Sequence, residues 1–180
     1  MAPNTPRSLL RRYFAGLTEH TFLATLGLGD PALIDYLSEM LCRFTHIDVL
    51  YRLRGADGQR LEEVADMLLA AEGLPPEGRT RREIHRHVGD FTLFWTGLYP
   101  DILKRIQART QRDFFVDYCA QGKRSYWIAS GFGDEPYQNE APVLRRLSED
   151  FELCAYGLNR VRTELNRPAG DERSLALLFD

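Results

Sequence analysis

Glu83, His87 and Asp90 stand at i, i+4 and i+7 in the stretch REIHRHVGDFTLFWTGLYP, residues 82–100. On an α-helix this spacing stacks an acid, an imidazole and a second acid over consecutive turns of one face. A carboxylate beside an imidazole fixes its tautomer and raises its basicity. The stripe therefore has the makings of an acid/base pair, or of a metal-ligand set built on Glu83, His87 and Asp90. The same groups also satisfy one another and the adjacent Arg82 and Arg86 in a purely structural arrangement. The His-Glu-x-x-His pattern of a zinc protease is absent, since His85 and His87 are two residues apart and are expected on opposite faces. The paired Glu-x-x-His of di-iron bundles is absent as well.

A second concentration of polar and aromatic side chains lies in DYCAQGKRSYW, residues 117–127. Basic residues interleaved with aromatics hold anionic ligands or stack bases. On a helix, however, the neighbours from Lys123 to Trp127 diverge around the axis instead of forming one platform. That disfavours nucleic acid and leaves a small anionic ligand as the reading for Asp117, Tyr118, Lys123, Tyr126 and Trp127. Asp48 falls among Leu37, Leu41 and Phe44 if the helix before it continues, and a carboxylate buried there needs an arginine, a tyrosine hydroxyl or His87 as its mate. Cys42 and His46 share a face with Asp35 and Glu39 opposite the apolar arc, which reads as solvated surface. His20 faces inward if its helix is continuous. Phosphate loops, dinucleotide folds and nucleophile elbows all need a strand feeding a glycine-rich turn, and the chain offers neither.

The elements that must position these groups read as helices. Ile84, Val88, Phe91, Phe94, Trp95 and Leu98 cover one broad arc of a helix over 80–97, with His87 inside the arc. Thr5-Pro6 and Asp30-Pro31 carry the chemistry of helix starts, a capping side chain before a proline whose missing N–H costs nothing there. Gly16 is expected to interrupt the first helix. The second runs to about Leu53, with Leu33, Tyr36, Leu37, Met40, Leu41, Phe44, Ile47 and Tyr51 facing in and Arg43 facing out. Asp57-Gly58 closes a turn that alternatively forms a small hairpin between 50–53 and 59–61. Leu61, Val64, Ala65, Leu68 and Leu69 space as an amphipathic helix ending near Gly73, and the loop 73–79 is the best internal boundary.

Pro100 kinks the central helix or starts the short segment 101–108. Thr110 and Asp113 resemble a capping box opening a helix to Ser130, on which Gly122, Ser125 and Ala129 invite a close neighbour. Leu147, Phe151, Cys154, Leu158, Val161 and Leu165 alternate steps of four and three along one last helix capped by Asn139. Arg167-Pro168-Ala169-Gly170 ends it and leaves an apolar tail, SLALLF, at 174–179, which should dock on its own core or on a partner.

These elements predict an all-α chain, a single domain over 1–180 of about six to eight mostly antiparallel helices around a central buried one. A length of 180 residues with 44% hydrophobic side chains suffices for a sizeable core. The net charge of −3 comes from interspersed acids and bases, so no long-range field favours nucleic acid or an anionic membrane. No signal peptide or membrane span is expected, and Cys42, Cys119 and Cys154 are too scattered for a disulfide framework, which points to the cytoplasm. The function expected is binding without catalysis, to a protein partner or to a second copy in a homo-oligomer. The alternative is a buried ligand, haem or metal ion held around His87 and Asp90; the sequence otherwise implies no cofactor.

Overall fold

The computed structural model describes residues 6–109, 113 and 116–167. Among these, the chain is all helical, and the helices share one continuous hydrophobic core. The first helix, α1 (Pro6–Glu19), passes through Gly16 without interruption and then widens into a π-helical turn over His20–Thr25, where the Leu26 N–H reaches the Thr21 carbonyl at 3.1 Å. Phe14, Leu17, Thr18, Thr21 and Phe22 are buried along one face that runs through Gly16 into this turn. His20 is left exposed, contrary to the inward position expected of a continuous helix. Thr5 and its cap, like the tail at 174–179, lie outside the described residues.

Asp30 caps α2 (Pro31–Phe44) as its chemistry predicts, accepting from the Leu33 N–H at 3.2 Å with Pro31 in the first turn. The helix stops nine residues short of the expected end at Leu53. The Thr45 hydroxyl donates to the Cys42 carbonyl at 2.7 Å, a local alternative to the helical ladder, and His46 is extended. The chain then makes a single separate turn, α3 (Ile47–Leu50). That break rotates Ile47 and Asp48 into solvent, so the buried Asp48 predicted from an unbroken helix is corrected: its side chain is 82% exposed and pairs with Arg60 at 3.1 Å. The suggested hairpin reduces to one antiparallel bridge between Arg54 and Arg60, around a turn in which Gly58 adopts φ +78°.

Extended backbone at Glu63 delays α4 to Val64–Glu72, which turns Val64, Met67 and Ala71 inward and leaves Leu69 exposed, unlike the expected face. The central helix α5 (Arg79–Leu98) follows, and then α6 (Pro100–Arg109), which Pro100 starts. Thr110 of the expected capping box lies outside the described residues, and the helix ending at Ser130, α7 (Tyr118–Ser130), begins later than expected, capped by Asp117 through the Ala120 N–H at 3.0 Å. The single last helix is also corrected. It is two helices, α8 (Ala141–Glu149) and α9 (Phe151–Leu165), separated at Asp150, and Asn139 does not cap them. The seam survives the break, since Leu147, Phe151, Cys154, Leu158 and Val161 are all fully buried, while its last member, Leu165, is half-buried.

The α5 helix packs most extensively on α7, and also on α9, α4 and α6, so it is enclosed on nearly every side. Two glycines allow the closest approach. A Cβ on Gly89 would lie 2.6 Å from the Tyr126 ring, and one on Gly122 would strike the Phe151 ring and the Thr92 hydroxyl. The small-residue contact expected at Gly122, Ser125 and Ala129 is thus present, with all three buried.

Candidate functional site

Asp90 is the centre of the polar interior. It is 3% exposed, and three donors from two other helices converge on it: the Tyr36 hydroxyl of α2 at 2.7 Å, the Arg43 guanidinium of α2 at 2.9 Å and the Tyr126 hydroxyl of α7 at 2.9 Å. Both tyrosines take up one carboxylate oxygen and Arg43 the other. Burial, and then the Asp90 charge, push both phenol pKa values well above their ordinary range, so Tyr36 and Tyr126 remain hydrogen-bond donors at neutral pH. A carboxylate so surrounded is a clamp joining α2, α5 and α7. Three donors to one buried carboxylate favour its charged form and so disfavour its taking up a proton.

The network continues one turn towards the start of α5. Arg86 gives its Nε–H to the Tyr36 hydroxyl at 3.2 Å and reaches Glu140 at 2.9 Å. Burial disfavours its charge, but Tyr36, Asp90 and Glu140 together outweigh that and hold Arg86 cationic. The guanidinium groups of Arg43 and Arg86 both lie 5.6 Å from the Tyr36 ring. Arg82 is completely buried, bridges Glu83 and Glu140, and stacks 3.8 Å over the Tyr137 ring. Glu83 also meets Arg86 at 3.5 Å and Arg52 at 3.8 Å.

The three members of the predicted stripe therefore share a helix face but not a site. Glu83 is occupied by arginines, and Asp90 by tyrosines and Arg43. His87 turns to the backbone, its Nε2 donating to the Leu50 carbonyl at 3.0 Å, while Phe44 packs edge-on against the ring. Burial, followed by the Arg52 charge, lowers the His87 pKa to about 4, so it is neutral. His85 is buried too, although two residues away, because α5 has neighbours on both sides. Its Nδ1 meets the Ser125 hydroxyl at 3.3 Å, and burial with Arg81 and Arg124 lowers its pKa to about 4. Among the described residues no three His, Cys, Asp or Glu side chains come together in a metal-holding group.

The second predicted concentration also separates. Asp117 is a helix cap. Tyr118 is buried and donates to Asp113 at 2.7 Å. Lys123 lies at the surface and pairs with Glu152 at 2.8 Å, and Trp127 is 54% exposed beneath the Arg145 guanidinium. Of this group only Tyr126 joins the Asp90 centre. Periodicity missed Tyr36, Arg43 and Glu140 as members of that centre. The available signal was physical: a carboxylate on the buried face of a helix demands donors, and arginines and tyrosines were the candidates.

At the far end of α5, helices α1, α2, α5 and α9 enclose an open groove of about 240 Å³, walled by Phe14, Leu41, Phe44, Phe94 and Leu98. Thr45, Arg162 and Asn166 edge it, and the Arg162 guanidinium lies 5.2 Å from the Tyr99 ring. No protein-family model, no curated protein and no solved structure matches the chain.

Proposed function

We propose that this protein acts by binding a polypeptide in the groove between α1, α2, α5 and α9, without catalysis. The observation that carries this reading is the contrast between the two ends of α5. From Arg82 to Asp90 the charged and phenolic groups are taken up by one another, whereas the C-terminal end of α5 borders an open groove whose apolar lining belongs to the nearly buried edge of the core. A volume of about 240 Å³ falls below the roughly 300–1,000 Å³ of small-molecule pockets, and it suits a few apolar side chains projecting from a peptide. Arg162 at the edge favours an acidic residue beside those anchors. None of the three cysteines is in a disulfide, which suits a reducing compartment such as the cytoplasm. No described helix is long and apolar enough to cross a membrane. A ligand, haem or metal at His87 and Asp90 has less support, because both side chains already have protein partners.

Selection from a displayed library of 12-residue peptides tests the reading. Enriched sequences should carry two or three large apolar residues at helical spacing next to an acid. Their binding should fall at least tenfold with Asn166→Arg at the groove edge, and stay unchanged with Ile47→Asp, an exposed site outside the groove. Failure to enrich such sequences, or equal loss with both variants, would count against it.

A further inference from the structure

We infer that the occupant of this groove is the chain's own segment 174–179, docked in cis, so that a partner must displace it. The inference rests on reading the groove as a polypeptide-binding surface. Three observations carry it.

The first is where the described chain leads. Leu165 and Asn166 themselves line the groove, and Pro168 follows within two residues, where an α-helix cannot continue without losing a hydrogen bond. The helix α9 accordingly ends at Leu165, at the rim of the groove. The second is reach. The seven steps from Arg167 to Ser174 span up to about 25 Å when extended, ample to return over a groove whose edge is one residue away.

The third is chemical fit. In SLALLF, Leu175, Leu178 and Phe179 stand at i, i+3 and i+4, the spacing that puts three apolar side chains on one helical stripe. The apolar lining of the groove is three leucines, three phenylalanines and Tyr99. Asp180 follows Phe179 directly and supplies an acid for Arg162 at the edge. An intramolecular segment on so short a tether acts at an effective concentration on the order of millimolar, so it would screen the groove from weak partners and yield to strong ones.

Cysteines placed at the groove edge and in the segment, Thr45→Cys with Leu178→Cys, test the inference in the full chain. Mild oxidation at low protein concentration should link positions 45 and 178 within one chain, with peptide mapping separating this link from any at native Cys42. The control pair Gln138→Cys with Leu178→Cys, at the opposite end of α5, should not link. A link between two chains would make a second copy the occupant and overturn the inference, as would no link or equal linking by the control. A synthetic peptide of residues 171–180 provides a second measurement. It should bind the double variant Leu175→Asp, Leu178→Asp at least tenfold more tightly than the native chain, whose own segment competes. Equal affinity for both chains, or binding to neither, would overturn the inference. If library-selected peptides bind the groove while the intrachain link fails, the inference alone falls. If no peptide binds, the functional reading falls with it.

Discussion

The Tyr126 hydroxyl donates to the Asp90 carboxylate at 2.9 Å, and the same Tyr126 ring occupies the space that a side chain at position 89 would need. One residue of α7 is therefore fixed to α5 both by a charge-assisted hydrogen bond and by a gap left open by glycine. Gly89→Ala places a methyl 2.6 Å from the ring, with no room for the ring to retreat while it holds Asp90. We expect a loss of about 2–3 kcal/mol for Gly89→Ala. Tyr126→Phe keeps the ring but removes the donor, and should cost about 1.5–3 kcal/mol. Urea unfolding of the single and double variants measures both. The double variant should lose less than the sum, because each substitution disturbs the same contact.

Asp90 is surrounded by donors chosen for a charge. Asp90→Asn leaves Arg43 without its carboxylate and two tyrosine hydroxyls facing a weaker acceptor. Arg43 is about a third exposed, so solvent relieves part of the loss. A destabilisation of about 2–4 kcal/mol is expected, read as a lower midpoint in denaturant at unchanged slope. A stability within 0.5 kcal/mol of the native chain, taken as about the error of such measurements, would show that the clamp contributes little.

Asp113 caps a helix remote in sequence. Its two carboxylate oxygens accept the Val64 and Ala65 N–H groups at 2.8 and 2.9 Å, at the start of α4, and one also accepts the Tyr118 hydroxyl. Asp113→Ala orphans those donors, the Val64 N–H among them fully buried, and should cost about 2–4 kcal/mol. Asp113→Asn, which keeps one acceptor, should lose less. Amide hydrogen exchange gives the sharper test, since α4 should lose protection before α5 does.

The two buried histidines set an acid limit. Folded His85 and His87 have pKa values lowered to about 4, against about 6.5 in an unfolded chain. The unfolded state therefore binds more protons between these values. Their contribution is complete above pH 6.5 and is lost progressively as pH falls towards 4, by up to about 3 kcal/mol for each histidine. His87→Gln can still donate to the Leu50 carbonyl but does not titrate, so its stability should fall less steeply between pH 6.5 and 4.5 than that of the native chain. Imidazole shifts by NMR give the direct reading: a His87 titrating near 6.5 in the folded protein would contradict this account.

The α5 helix was legible in the sequence because its evidence is local. Apolar residues recurring every three to four positions show which face of a helix is buried, and the Asp30-Pro31 start shows where a helix begins. For the same reason the pattern of Leu147, Phe151, Cys154, Leu158 and Val161 persisted through a break it did not reveal, since a turn at Asp150 changes direction without changing which residues are apolar. The end of α2 at Phe44, with Thr45 bonding back to the Cys42 carbonyl, and the extended His46 carry Asp48 to the surface, a break that apolar spacing does not register.

The all-helical character and the buried central segment carrying Asp90 on its face follow from the sequence itself, because each depends on spacing within a few turns; the demand of a buried carboxylate for partners was read for Asp48 and is met instead at Asp90. Which partners answered that need was decided only by the tertiary structure. Tyr36, Arg43 and Tyr126 lie 54, 47 and 36 positions from Asp90, and nothing in helical periodicity relates residues so far apart until packing brings α2 and α7 against α5.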